Sequence, residues 1–412
     1  MGTKSKMRSF LAVAGVASLA LTACSGGGSG STAGSNSGGD VKTLTVLDSY
    51  NNDPDKSILQ ASIDKCAAQV GVTIDRTTVP GKDRMQTVLQ RSSSRTLPDV
   101  LMLDNPEVKD VASTGALSAL GDYNVDTTAF AGNSLDAVTQ DGKVYGAPVP
   151  ADTLGLFYNK DLLAAAGVEP PKTWDELKAA AAKLTKGDQY GLALSAAATY
   201  EGSWQFLPFM WTNGGDETNL DTPQVKEALQ LYVDLVNSGS VSKSVINWTQ
   251  ADVKDQFVAG KAAMMINGPW QIPALEASPN VKWDSVQIPI NKAGQTPTAP
   301  LGGMVWTVPM TGDKAKMAKA AEFVQCTGSK DSQMSLGKAR HTVPVRADLH
   351  EEYVKEVPTM KTFTQQVENA RARTGKLGKD WPKAATTIYT AVQLALTGKA
   401  SVQDAFAQAA KG

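Results

Sequence analysis

The stretch Pro98-Asp99-Val100-Leu101-Met102-Leu103-Asp104-Asn105 decides the architecture. After the Pro-Asp turn comes a continuous apolar run with no polar alternation. A strand of that kind has no face to give to water, so it belongs in a sheet covered on both sides, as in α/β proteins. The flanking sequence agrees. Leu44-Thr45-Val46-Leu47 and Val72-Thr73-Ile74 read as further strands. Between them, Leu59, Ile63, Cys66 and Val70 recur at helical spacing over 57–70, and Gly71 ends that helix. Residues 84–91 read as another helix. Ligands of α/β proteins bind beyond the carboxyl ends of the strands. Asp104 and Asn105 after one strand, and Tyr50 and Asn51 after the first, are therefore candidate ligand-binding residues.

The second half is richer in helix. Thr173-Trp174-Asp175-Glu176 is a capping box opening a helix to Leu184. Asp221-Thr222-Pro223 opens another, with Val225, Ala228, Leu229, Tyr232 and Leu235 on its buried side. Ser401 is the expected cap of the last helix. There is no internal repeat. No long polar linker divides the chain after residue 40, so two domains would be joined by short crossings.

The N-terminus reads as an export signal. Lys4, Lys6 and Arg8 precede an apolar run over 10–21, roughly 12 residues against the ~20 that span a bilayer. The run ends in Leu21-Thr22-Ala23-Cys24, which looks like a bacterial lipobox. In that reading residues 1–23 are a signal peptide, Cys24 carries the lipid anchor, and 24–40 form a flexible Gly/Ser-rich tether. The protein would sit lipid-anchored on the outer face of the cell membrane.

Composition narrows the function classes. Lys and Arg total 40 against 41 Asp and Glu, a net charge of −1. Nucleic acid as a partner would call for a basic excess. There is no Gly-x-x-x-x-Gly-Lys-Ser/Thr phosphate loop, no Gly-x-Ser-x-Gly elbow and no His-Glu-x-x-His, and the only histidines are His341 and His350. No catalytic residue, metal site or cofactor is expected. Cys66 and Cys326, the cysteines after the anchor, lie in a chain bound for an oxidising compartment where they can pair.

Several motifs resemble the family-1 extracellular solute-binding proteins, the group that includes maltose-binding protein. One is Asp141-Gly142-Lys143-Val144-Tyr145-Gly146-Ala147-Pro148, followed by Leu156-Phe157-Tyr158-Asn159-Lys160-Asp161-Leu162 and Pro170-Pro171-Lys172-Thr173-Trp174. Others are Phe257-Val258-Ala259-Gly260-Lys261, leading to Asn267-Gly268-Pro269-Trp270, then Ala320-Ala321-Glu322-Phe323-Val324, and Gly398-Lys399-Ala400-Ser401. The resemblance implies a two-lobe periplasmic-binding-protein-like α/β fold with an interlobe ligand cleft and hinge crossings. Its N-terminal lobe would take 41–150 plus about 303–342. Its C-terminal lobe would take 151–302 plus about 343–412. It implies a monomeric substrate-binding protein of an ABC importer that captures a small carbohydrate and delivers it to the permease transmembrane subunits.

The resemblance also marks site residues. Trp270 and Trp204 match aromatic platforms for sugar rings, and Trp211 is a rival that reads equally as core. Asp152 matches an acidic position near the hinge. Gly302-Gly303-Met304 could bring backbone close to a ligand, since glycine lacks a Cβ. Arg340 and Arg371 are candidate clamps for hydroxyl or carboxylate. Cys66 and Cys326 fall on helices of the same lobe, where they either pair or stand as separate core thiols. The strand 44–47 lacks the aromatic residue that carbohydrate members often carry there, which favours a mono- or disaccharide, a sugar acid or a polyol over a long oligosaccharide. Two other readings stand beside this one: a secreted enzyme on the same fold, with Cys66 as nucleophile, and a binder of a non-sugar solute.

Overall fold

The computed structural model describes residues 41–411; the expected signal peptide, the expected anchor Cys24 and the expected tether lie outside them. The thirteen strands of this region are β1 (Thr43–Asp48), β2 (Thr73–Thr78), β3 (Val100–Asp104), β4 (Thr139–Gln140), β5 (Lys143–Val144), β6 (Gly146–Pro148), β7 (Gly155–Asn159), β8 (Tyr190–Ala193), β9 (Ala262–Asn267), β10 (Trp283–Val286), β11 (Pro300–Leu301), β12 (Met304–Thr307) and β13 (Arg371–Ala372). They build two main sheets, one per lobe. The first has the order β2-β1-β3-β12-β6 and the second β10-β7-β9-β8.

In the first sheet β1 pairs parallel with β2 and β3, while β12 is antiparallel to β3 and β6. Val100 and Met102 point to one face, with Leu59, Ile63 and Phe323. Leu101 and Leu103 point to the other, with Val88, Val108 and Val111. This is the two-sided burial expected from the unbroken apolar run. The helix Asp55–Val70 ends on Gly71 in the left-handed region, at φ 74°. The helix expected over 84–91 runs from Gly81 to Ser93.

The second sheet is covered likewise. Leu156, Leu192, Met264 and Ile266 meet residues of the helices Trp174–Leu184, Tyr200–Thr212, Pro223–Asn237 and Trp381–Leu396. Phe157 and Met265 meet the opposite side, where the Phe157 and Phe363 rings lie 5.3 Å apart. Thr173 and Glu176 form the expected capping box. Ser401 caps a turn ahead of the last helix, which begins at Ala405.

Three short segments carry the chain between the sheets: 149–154 after β6, 302–303 before β12, and 341–345 after the helix Lys330–Arg340. They are hydrogen-bonded to one another. Ala151 and Val343 exchange backbone bonds of 2.7 Å, and Gly302 N donates to Asp152 O at 2.8 Å. Asp152 therefore sits in the middle of the hinge. Beyond it, the helix His350–Glu356 packs back on Lys330–Arg340 through Tyr353 Oη to Gly337 O, 3.1 Å. The helix Lys361–Glu368 packs against the second sheet, with Thr362 Oγ1 donating to Ser285 O. In the first lobe, Cys66 and Cys326 form a disulfide between the helices Asp55–Val70 and Lys314–Thr327, with Cα atoms 5.7 Å apart.

Candidate functional site

A cleft of about 290 Å3 opens between the two sheets, lined by residues from both lobes and the hinge. The first lobe gives Tyr50 and Asp104, each just beyond or at the end of a parallel strand, and Met304 at the start of β12. The hinge gives Asp152, Gly302 and Gly303. The second lobe gives Tyr200, Glu201 and Trp204 from the first turns of the helix Tyr200–Thr212, Gln250 from the start of Gln250–Val258, and Trp270. Arg373 enters from the segment after β13.

Arg373 ties these walls together. Its Nη2 stands 3.1 Å from Asp104 Oδ1 and 3.1 Å from Asn105 Oδ1 in the first lobe, and its guanidinium lies 4.5 Å from the Trp204 ring centroid in the second. Two residues earlier Arg371 makes a parallel rung. It lies 4.6 Å over Trp211, and its Nη2 contacts Asp216 and Glu217 at 3.2 Å. Residues seven apart on a helix share a face, and Arg371 in β13 and Arg373 in the turn after it meet Trp211 and Trp204 respectively.

Asp152 is distinguished by what it lacks. Among the described residues no donor is hydrogen-bonded to its carboxylate, although Asp152 lines the cleft. Desolvation pushes its carboxyl up to about 6, against the pull of the Arg340 and Arg373 charges and helped by Asp104 and Asp55. Desolvation likewise pushes the Tyr50 hydroxyl up to about 12. Glu201 keeps one oxygen busy, accepting from Gln250 N at 2.7 Å.

Two glycines make room. A Cβ at Gly302 would overlap Asp152 Oδ1 and stand 2.8 Å from Trp204 Cη2. A Cβ at Gly268 would overlap the six-membered ring of Trp270, so that ring rests directly on glycine backbone. Gly302→Ala is expected to push Asp152 and Trp204 apart and weaken ligand binding at least tenfold, measured by calorimetry, while the circular dichroism of the folded protein stays unchanged. Wild-type affinity in that variant would show that the close approach has no part in binding.

The structure brings Tyr50, Asp104, Asp152, Trp204, Trp270, Gly303 and Met304 to the cleft. It places four other sequence candidates elsewhere. Asn105 is 4% exposed and fully engaged, donating to Leu301 O and accepting from Arg373. Asn51 is exposed on the loop beyond β1 and is not among the lining residues. Arg340 stands behind Tyr50, 4.3 Å over its ring, and is paired with Asp55 at 3.0 Å. Arg371 serves the neighbouring rung outside the cleft lining, with Trp211, whose Nε1 donates to Glu217 at 2.6 Å in the core. Arg373, Tyr200, Glu201 and Gln250 were not legible as site residues, although the capping box at Thr249-Gln250-Ala251-Asp252 marks a helix start.

The chain belongs to the bacterial extracellular solute-binding proteins, whose family model matches residues 61–366. Among curated relatives, a maltooligosaccharide ABC transporter solute-binding lipoprotein of Streptococcus pneumoniae is 26% identical over 97% of this chain and 95% of its own length. Among solved structures, the GacH receptor of Streptomyces glaucescens, determined unliganded and with acarbose, superimposes with a TM-score of 0.78. It is 28% identical, over 90% of this chain and 97% of the receptor. A cyclic α-maltosyl-1,6-maltose binding protein from Arthrobacter globiformis gives a TM-score of 0.77 at 27% identity, over 90% of this chain and 98% of that one.

Proposed function

We propose that this protein captures a small carbohydrate outside the cell and delivers it to the permease of an ABC importer. The carrying observation is the cleft's composition: two tryptophans of the second lobe and a hinge carboxylate without a hydrogen-bonded partner among the described residues face Tyr50 and Asp104 of the first lobe. Aromatic faces stack on the C–H faces of sugar rings, and an ionised acceptor makes the stronger hydrogen bonds to hydroxyls. A ligand touching both lobes binds the closed form better, and that difference drives closure. The relatives named above bind maltooligosaccharides, acarbose and a cyclic maltosyl sugar, which supports the same class here. No reaction is assigned to the site. The one thiol pair, Cys66 with Cys326, is a disulfide in the first lobe and is absent from the cleft lining.

The test is a thermal-shift screen of the purified protein against mono- and oligosaccharides, with polyamines and oxyanions as controls. A ligand at 100 times its dissociation constant stabilises by about 2.7 kcal/mol. Stabilisation by the controls alone would reject a carbohydrate ligand.

The anchor is part of the same proposal. Cys24 would hold the protein at the membrane's outer face, and 24–40 would let the monomeric body reach the permease. Cys24→Ala is expected to move the protein from the membrane fraction to the medium. Retention of the variant on salt-washed membranes would reject the anchor.

A further inference from the structure

The cleft is unevenly charged. Among its described lining residues are three carboxylates, Asp104, Asp152 and Glu201, and one cation, Arg373. Arg373 is matched by Asp104, which it contacts at 3.1 Å. The next guanidinium, Arg340, lies behind Tyr50 and gives both Nε and Nη2 to Asp55, at 3.0 and 3.3 Å. That leaves Asp152 and Glu201 with no ion-pair partner among the described residues, the Arg340 and Arg373 charges reaching Asp152 only through space.

The helix starts at the cleft reinforce this. Unsatisfied N–H groups and the helix dipole make such ends natural anion sites. At one of the two, the start of Gln250–Val258, the protein's own carboxylates occupy the site, while Thr199 caps the other. Glu201 lies in the first turn of Tyr200–Thr212 and accepts the N–H of Gln250, the first residue of Gln250–Val258, at 2.7 Å. Asp252 closes the capping box of that second helix, accepting from Thr249 N at 2.8 Å.

We propose that Asp152 and Glu201 act as a charge filter, so that the cleft admits neutral and cationic sugars and rejects those carrying a carboxylate or phosphate. This rests on the carbohydrate reading above and narrows it. A neutral sugar's hydroxyl donates to either acid, and a protonated amino sugar adds charge attraction. A uronate or phosphate oxygen has no proton to donate and meets like charge in a site where water screens poorly. Specificity built by such repulsion is a difference between two affinities, so it is read from matched ligands.

The experiment uses three matched sets on the purified protein at pH 8: neutral sugars (glucose, galactose, maltose, lactose), amino sugars (glucosamine, galactosamine), and anionic sugars (glucuronate, galacturonate, glucose 6-phosphate). Affinities come from calorimetry on every compound that shifts the melting temperature. Binders are expected in the first two sets, with each anionic compound at least tenfold weaker than its neutral counterpart. The double variant Asp152→Asn/Glu201→Gln is expected to shrink that ratio tenfold or more. Glu201→Gln alone, keeping Asp152, should shrink it partly and serves if the double variant does not fold. An anionic sugar bound as tightly as its neutral counterpart overturns the filter and leaves the carbohydrate reading standing. An unchanged ratio in the variants also overturns it. No binder in any set, together with none in the mono- and oligosaccharide screen above, removes the carbohydrate reading and the filter with it.

Discussion

Asp152→Asn is expected to raise the melting temperature of the ligand-free protein at pH 8 while weakening sugar binding by tenfold or more. The substitution keeps the shape and removes the charge. In the folded protein the carboxyl is pushed up to about 6 from its ordinary value of 3.8, because burial disfavours the ionised form more than Arg340 and Arg373 favour it. The folded state then holds the proton more tightly than the unfolded state. Its stabilising contribution is fully present below about pH 3.8 and is lost as pH rises through about 6. At pH 8 the ionised group costs on the order of 2–3 kcal/mol, at 1.36 kcal/mol per pKa unit, and the amide is free of that cost. Losing hydrogen bonds to a charged acceptor removes about 1.5–3 kcal/mol of binding. Wild-type affinity should also fall as pH drops through 6, and the variant's should not. Melting curves and calorimetric titrations at pH 5 and 8 check both halves. A lower melting temperature at pH 8 with unchanged affinity would mean that Asp152 is a supporting residue.

Arg373→Met is the second large effect. The methionine keeps apolar contact with Trp204, but Asp104 loses its partner and the two lobes lose the side chain that touches both. Removing one partner of a buried ion pair costs about 3–5 kcal/mol. Asp104 retains 30% of its side-chain exposure, so a loss of about 2 kcal/mol is the expected figure. Sugar affinity should drop as well, because Trp204 and Asp104 are no longer held in register. Arg371→Met is the control. It removes the rung outside the cleft, whose Asp216 keeps Lys376 as a partner, and should lower stability without altering affinity. Urea unfolding midpoints and calorimetry separate the two variants. Equal affinities in both would show that Arg373 has no role in the cleft.

The contrast between these arginines shows what the sequence could and could not disclose. Two-sided burial of β3 follows from an apolar run, so the sheet and the strand-end position of Asp104 were readable. Tyr50 was readable in the same way from its strand end, whereas the two cleft tryptophans were marked by the family resemblance. Arg371 and Arg373 share one short segment and one partner helix. Which of them reaches the cleft depends on how that segment is set against Trp204 and Trp211, a long-range register that leaves no local trace. Arg340 was hidden for a related reason. Its stacking on Tyr50 and pairing with Asp55 join residues far apart in sequence, so its charge reads as free until those partners are placed. Asn105 likewise looks like a ligand-facing amide until Leu301 and Arg373 consume its hydrogen bonds.

The bridge between Cys66 and Cys326 spans 260 positions and encloses β7–β10, the whole of the second sheet. Its two ends lie on helices of the same lobe, so it leaves the hinge free to move. For proteolysis this has a separate effect. A single cut anywhere between residues 66 and 326 severs the backbone but not the molecule, since the two fragments stay covalently joined. A nicked copy would keep both walls of its cleft together, run as one band without reductant, and split into two only when the bridge is reduced.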